Sequence, residues 1–351
     1  MNLLAIGGIS TLSMSKKGSA GVRAARSRRR SRPLRHTIAF IAMLAWYPAL
    51  TAFDLSRHSV PPARIISTGG SMAGIDAITQ PAFVTAPKAT FLAPDDRVVG
   101  VIINGKVRAY PLKILTWHQL VDDSIAGEPI AVTYCPLTGS ALVYDRRLGK
   151  KTLTLGTSDR LYDSNLLFFD QATKSLWSQI KGEAIAGPLT GRRLNPLPNV
   201  VTPWRVWKVY HPETLVLNAS AADIQNFAHD FTGRYELAQS VPLAVSTLDN
   251  RMPPKAHVLG LSINGASVAF PFTSLDRAKP PVAATVGGTP VTIIYDAASK
   301  TAGAVIGGKH AAAYTGFWFA WATFHPDTTI WNNGGDTTPA GANSPAPIPA
   351  K

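Results

Sequence analysis

The feature that most constrains the fold is a match of the chain to itself. Residues 98–115, VVGVIINGKVRAYPLKIL, align with residues 258–275, VLGLSINGASVAFPFTSL, at a constant offset of 160. Gly100 meets Gly260, Asn104-Gly105 meets Asn264-Gly265, and Tyr110-Pro111 meets Phe270-Pro271. The match continues in AGEPIAVTYC (126–135) against VGGTPVTIIYD (286–296), and in WKVYHPET (207–214) against WATFHPDT (321–328). A self-match of this length calls for two copies of one unit, so the architecture reduces to the fold of that unit and what separates the copies.

Each unit opens with apolar residues alternating about Asn-Gly. Two adjacent positions tolerant of positive φ in that setting predict a hairpin closed by a type I′ turn. Pro111 and Pro271 are expected at the first position of a short helix, where the missing N–H costs nothing. In the first copy that helix is read from Pro111 to Asp123, with Leu112, Leu115 and Val121 on its apolar face and Asp122 one turn beyond His118. A turn and a β-rich strand follow. A second short helix, capped by Thr202 and running through Pro203 and Trp204 to Tyr210, ends at a His-Pro pair. Residues 152–197 of the first copy have no counterpart in the second and read as further strands with turns at 171–174, 181–182 and 190–191. The predicted fold class is therefore α+β and β-dominant: two tandem copies of a hairpin–helix–strand unit, the first with a β-rich insert, behind an N-terminal signal or anchor segment. The first repeat with its insert spans 74–217, a connector 218–257, the second repeat 258–331, and a tail without apolar periodicity, read as disordered, 332–351.

The chain's 351 residues carry a formal charge of +14, which raises the question of nucleic acid. Its distribution argues against that partner. Residues 1–36 hold nine Lys or Arg and no acid, leaving +5 for everything else, with no basic run interleaved with aromatics. The basic segment directly precedes the uncharged stretch 37–53, TIAFIAMLAWYPALTAF, and then a Pro-, Gly- and Ser-rich linker at 54–73. A basic flank, an apolar segment and a polar linker in that order read as a signal peptide or a transmembrane anchor. The basic n-region then stays cytoplasmic, the membrane is a partner through this segment, and the body is membrane-anchored or secreted on the extracytoplasmic side. A single cysteine, Cys135, leaves such a body without an internal disulfide.

The repeat also serves as a control for chemistry. Features in both copies, such as the Asn-Gly turns and His211 and His325 before proline, are explained by folding. Cys135 falls opposite Asp296, and His118 opposite Ala278, so both are additions to the unit. A thiol needs a base or a cation to become a useful thiolate, and His118 is the nearest in sequence. The pair are the catalytic candidates. The insert contributes TSDRLYDSN (157–165), where Asp159, Tyr162, Asp163, Ser164 and Asn165 shape a loop or meet a ligand. Trp177 and Gln179, two apart in an expected strand, would share one face and complete the binding candidates.

These segments carry a family resemblance. GVIINGKVRAYPLKILTWHQLVDD, VTYCPLTGSALVYDR, GTSDRLYDSNLLFFDQATKSLWSQIKGEAIAGPLTG and HPETLVL, in that order from about residue 74 to 217, closely resemble the uncharacterised domain-of-unknown-function family 3179 of exported bacterial and archaeal proteins. The resemblance implies an exported or membrane-attached domain and brings no established activity. Its motif core coincides here with Trp117, His118, Tyr134, Cys135, Pro136, Tyr162, Ser164, Trp177, Ser178 and Gln179. Two positions depart from the usual pattern. Thr138 stands where a second cysteine is frequent, which removes a dithiol pair, and Thr79 stands where an acid is frequent.

Three functions stay open on these residues. One is an enzyme with a single thiol centre, Cys135 with His118. Another is a metal site using Cys135 and His118 with a carboxylate from Asp159 or Asp163, since thiolate with imidazole suits copper, zinc or iron. The third is an envelope ligand-binding module without catalysis, taking a small-molecule or envelope ligand. No cofactor is identified by any motif.

Overall fold

The computed structural model describes residues 53–69, 75–227, 232–238, 240–241, 243, 245–333 and 337–338. They belong to one unit of the chain, Leu50–Lys351. The basic segment 1–36, almost all of the apolar stretch 37–53 and most of the tail lie outside the described residues. None of the described helices is long and apolar enough to cross a membrane.

The Asn-Gly hairpins form where the alternation places them. Arg97–Ile103 pairs with Lys106–Pro111 about Asn104 and Gly105, at φ 50° and 72°. His257–Ile263 pairs with Ala266–Pro271 about Asn264 and Gly265, at φ 50° and 81°. Each hairpin is widened into a five-stranded sheet in the same manner. Val200–Pro203 adds antiparallel to the first and Tyr314–Phe317 to the second, while Leu215–Leu217 and Thr329–Trp331 add in parallel on the other side. Phe83–Thr85 and Thr337–Thr338 complete the outer edges.

Opposite each hairpin sheet lies a four-stranded one. In the first half it comprises Leu120–Ile125, Glu128–Cys135, Ser140–Asp145 and Pro196–Leu197; in the second, Val282–Val286, Thr289–Asp296, Thr301–Ile306 and Lys309–Ala311. Val99, Val101, Tyr110, Val121, Ile130, Val132 and Val143 meet between the first pair, and Leu259, Phe270, Val286, Ile293 and Ala304 between the second. The insert forms a further sheet, Ile65–Ser67, Leu155–Tyr162, Asn165–Asp170, Leu176–Ser178 and Glu183–Ala186. Its Phe168 and Trp177 join Ala131, Tyr144, Val258, Trp318 and Trp321 in a core common to both halves and the insert. Glu128–Cys135 is thus buried on both faces, Ile130 and Val132 toward one core and Ala131 toward the other.

Several elements differ from expectation for local reasons. The helix after Pro111 is Leu112–His118 and does not reach Asp123, because Gln119 turns left-handed at φ 60° and its N–H closes on Leu115. Leu120–Ile125 continues as a strand paired with Glu128–Cys135, so Val121 and Asp122 are strand residues and Asp122 is not one helical turn from His118. Pro111, Pro203 and Pro271 sit at the N-cap in extended conformation, not at the first helical position. Thr202, expected to cap the second helix, remains in a strand and accepts a hydrogen bond from Thr301 Oγ1 at 2.8 Å. The stretch read as a linker is docked from residue 53 onward: Phe53 packs on Phe169 with ring centroids 5.6 Å apart, and Ile65–Ser67 pairs with Leu155–Tyr162. The connector carries two short helices, Ala221–Asn226 and Thr232–Leu237.

The tightest contact recurs in both halves. A Cβ at Gly100 would lie 2.2 Å from the Trp207 ring, and one at Gly260 would lie 2.4 Å from the Trp321 ring. Each indole N–H is bonded to a threonine hydroxyl, Thr214 at 3.1 Å and Thr328 at 2.8 Å, and each ring is covered by the following histidine, His211 or His325. The ring is pinned from two sides and cannot retreat. Gly100→Ala and Gly260→Ala are each expected to destabilise the protein by about 1–3 kcal/mol through overpacking. Urea denaturation of the two variants checks this.

Candidate functional site

The strands Glu128–Cys135 and Ser140–Asp145 are joined by Pro136–Gly139, with Cys135 facing Ser140 across the ladder. Thr138 N–H closes the turn on the Cys135 carbonyl at 3.2 Å, and Gly139 takes φ 60°. Pro136 and Thr138 of this turn are buried, and Leu137 and Gly139 are partly exposed. Thr138, Ser140, Asn165, Gln179 and Thr133 all have no solvent exposure, so each polar atom must find a protein partner.

They find one another in a directional chain. Asn165 Nδ2 donates to Thr138 Oγ1 at 3.2 Å and to Gln179 Oε1 at 2.8 Å. Thr138 Oγ1 and Ser140 Oγ lie 2.8 Å apart, and Ser140 Oγ donates to Gln179 Oε1 at 2.8 Å. Since that bond uses the only Ser140 hydroxyl hydrogen, Thr138 is the donor of the Thr138–Ser140 pair. Gln179 Nε2 donates to Thr133 Oγ1 and to the Ser140 carbonyl, both at 3.2 Å, and Thr133 Oγ1 passes its hydrogen to the Leu142 carbonyl at 2.8 Å. Asn165 Oδ1 accepts from Ile180 N–H at 3.1 Å. The second half and the connector then close over the turn. Phe317 N–H donates to the Thr138 carbonyl at 2.9 Å, and Tyr235 Oη donates to the Leu137 carbonyl at 2.8 Å.

Cys135 is 1% exposed, among Leu161, Leu166, Leu137 and Leu243, with its sulfur 4.0 Å from the Ser164 carbonyl oxygen. His118 is engaged elsewhere. Its Nδ1 lies 2.8 Å from the Asp76 carbonyl and its Nε2 lies 2.7 Å from Asp223 Oδ1. Asp223 is the third residue of Ala221–Asn226, and its other oxygen accepts the Ser220 N–H at 2.7 Å in a capping box. His118 therefore fastens the connector to the end of Leu112–His118, and no hydrogen bond joins it to the thiol.

The insert residues are also engaged internally. Asp163 and Ser164 are the positive-φ pair of the hairpin between Leu155–Tyr162 and Asn165–Asp170, at 52° and 60°. Asp163 pairs with Arg64 and accepts from Ser246 N–H at 2.7 Å, while Ser164 Oγ donates to the Leu243 carbonyl at 3.0 Å. Asp159 accepts from Ser67 Oγ at 2.5 Å and Arg160 Nε approaches it at 3.2 Å. Tyr162 lies under the Arg64 guanidinium and against Phe324. Trp177 lies parallel to Phe168 and donates its indole N–H to Asp170 at 3.2 Å. Trp177 and Gln179 are both fully buried, and Gln179 follows the strand Leu176–Ser178 in a turn, so the two present no face to a ligand. Among the described residues no three His, Cys, Asp or Glu side chains converge as a metal ion would require, so Cys135, His118 and Asp163 do not form the ligand set considered above.

Sequence reasoning missed two buried acids on Leu120–Ile125. Asp123 is held by Arg108 at 2.8 Å and Tyr110 Oη at 2.5 Å. Asp122 accepts the Leu155 N–H at 2.8 Å and Arg146 at 3.2 Å through one oxygen, while its other oxygen has no hydrogen-bond partner. Burial pushes the Asp122 carboxyl up to about 6, against the Leu155 and Arg146 contacts that pull it down. Their signal was the adjacent acid pair in a strand whose apolar residues are Leu120, Val121 and Ile125.

The arrangement defines a class: a β-rich α+β protein whose Cys-Pro-Leu-Thr turn is the buried junction of several sheets. Within that class the chain belongs to the family described as protein of unknown function (DUF3179), whose model matches residues 72–311. The match covers the insert and extends through most of the second half, beyond the 74–217 of the sequence resemblance. No curated protein matches the chain, and no solved structure does.

Asp122 makes stability depend on pH in a stated direction. The folded protein keeps its proton up to about pH 6, whereas the unfolded chain loses it near 3.8, so stability from this group falls as pH rises through that window. Asp122→Asn removes the slope. Relative to the native protein, the variant is expected to gain on the order of 3 kcal/mol between pH 4 and pH 7, read by urea denaturation across that range.

Proposed function

We propose that this chain is an extracytoplasmic, membrane-tethered ligand-binding module in which the cysteine motif is a structural junction and the thiol performs no chemistry. The observation that carries this reading is the closure of the motif. Cys135 is sealed by leucines, and the polar groups of Thr133, Thr138, Ser140, Asn165 and Gln179 are occupied by one another. A nucleophile needs an adjacent base and access for a substrate. Cys135 has a carbonyl oxygen as its hydrogen-bond partner, and His118 serves the connector. Thr138 fits the same reading, because a longer carbon–sulfur bond would strain its 2.8 and 3.2 Å contacts.

The two halves are, in this reading, copies of one unit. Support comes from the matching strand order about each hairpin, the Gly–Trp–Thr–His set in each half, and the same Asn-Gly turns. The location rests on the sequence alone: nine cations without an acid in residues 1–36 ahead of an uncharged apolar stretch. In this arrangement the membrane is a partner through the N-terminal segment and the body faces away from the cytoplasm.

A maleimide probe tests the thiol assignment on the full chain. Labelling of Cys135 is expected to be negligible in the native protein and rapid once urea unfolds it. Rapid labelling under native conditions, rising with pH as a thiolate forms, would instead restore the thiol-enzyme reading.

A further inference from the structure

The shared strand order makes the two halves comparable place by place, and they part company at the outer edge of the four-stranded sheet. In the first half that edge is covered. Ile78 bridges Val121 in parallel, donating its N–H to the Leu120 carbonyl at 2.9 Å and accepting the Asp122 N–H at 2.8 Å. The helix Ala221–Asn226, which comes after the parallel strand Leu215–Leu217, brings the Asp223 carboxylate to His118 at 2.7 Å. An extended segment and a carboxylate together fill the position.

In the second half the same position is open. Val282–Val286 is the outermost strand of its sheet, and no strand or bridge adds to its outer side among the described residues. A cavity of about 480 Å³ stands there, lined by Arg277, Lys279, Val282, Ala283, Trp331 and Asn333. Residues 277–279 follow the helix Phe272–Leu275 where residues 117–119 end the helix Leu112–His118, and Asn333 follows Thr329–Trp331 where the chain of the first half continues from Leu215–Leu217 to Ala221–Asn226. Asp122 and Ala283 each stand three pairs in from a two-residue hairpin turn, so the Ala283 N–H points out of its sheet edge as the Asp122 N–H does.

The charge of the lining selects what can cover this edge. It holds two cations and no acid. Arg277 and Lys279 are exposed, and neither side chain has a hydrogen bond or an ion pair among the described residues. Asp276, next to Arg277 in the chain, is taken by Lys300 at 2.6 Å and by Tyr295 Oη at 2.8 Å. The ends of the chain do not supply the complement, because residues 1–52 and 339–351 contain no Asp or Glu.

We propose that the open edge Val282–Val286 docks an extended, acidic segment of a partner protein, its backbone added alongside the strand and its carboxylates on Arg277 and Lys279. It would repeat with a second chain what Ile78 and Asp223 do within the first half. Main-chain hydrogen bonds to a sheet edge give affinity with little demand on sequence, and the two cations choose acids over other side chains. This rests on the ligand-binding reading above and on the two halves being copies, and it makes the ligand a peptide.

The probe is a fluorescein-labelled peptide of alternating aspartate and valine, six residues long, titrated with the full chain and read by fluorescence anisotropy. Saturable binding that weakens with added salt is expected. A double variant, Arg277→Gln with Lys279→Gln, changes exposed side chains only and is expected to bind about tenfold more weakly, through the loss of two exposed charge pairs. The lysine–valine counterpart is expected not to bind, and the fully N-methylated peptide should lose most of its affinity, since it has no N–H to give to the edge. No saturable binding, equal binding of the lysine peptide, or undiminished binding by the double variant or of the methylated peptide overturns the proposal. Succinate competing as well as the peptide also overturns it, in favour of a small-molecule site. So does a dimer of the native chain, seen by sedimentation and dispersed by the double substitution, in favour of a second copy. Failure of the ligand-binding reading itself shows separately, as rapid native-state labelling of Cys135, which this titration does not detect.

Discussion

The fold depends on where the turn Pro136–Gly139 can place its polar groups. Thr138, Ser140, Asn165 and Gln179 are fully buried there, and an unpaired buried hydroxyl or amide costs on the order of 1–3 kcal/mol, so each of their donors and acceptors needs a partner within the protein. Asn165 comes from the insert sheet, Gln179 from the turn after its fourth strand, Phe317 from the second hairpin sheet, and Tyr235 from the connector. Four segments distant in sequence are set by one turn. A fully satisfied network of this kind specifies a unique arrangement more than it adds net stability.

The docking of the halves follows the same logic from the other side. The first half offers the Thr138 carbonyl to Phe317, and the second offers the Ser299 and Lys300 carbonyls to Arg97. Thr301 donates to Thr202 beside them. In each case the turn that follows the long strand of one half, Glu128–Cys135 or Thr289–Asp296, is capped by the hairpin sheet of the other. That exchange brings Arg97 and His257 into one neighbourhood.

The parts of the fold that were legible in the sequence are those decided by neighbours. Asn104-Gly105 and Asn264-Gly265 announce their hairpins because two consecutive residues must take positive φ and few pairs do so readily. The end of the helix at His118 was hidden because Gln119 adopts the left-handed conformation without being glycine or asparagine. Phe53 and Ile65–Ser67 resembled a linker because their partners, Phe169 and Leu155–Tyr162, lie about 100 residues away. The site was legible as a set of residues and illegible in its roles. Ser, Thr, Asn and Asp in a loop-like run normally signal solvent, and here they are buried against each other. His118 was paired with Cys135 by proximity along the chain, whereas Asp223, its actual partner, lies in a connector to which the repeat assigned no structure.

Thr138 and Gln179 act as one unit across the junction between the Cys135 sheet and the insert, through Ser140 and Asn165. A double-mutant cycle of Thr138→Val, Gln179→Leu and the double variant, measured by urea denaturation, tests it most directly. A coupling energy of about 1–3 kcal/mol is expected, because both substitutions take a partner from Ser140 Oγ and from Asn165 Nδ2. Additivity within about 0.5 kcal/mol would contradict it, and would mean that the turn is held by its surroundings and not by the chain of hydrogen bonds.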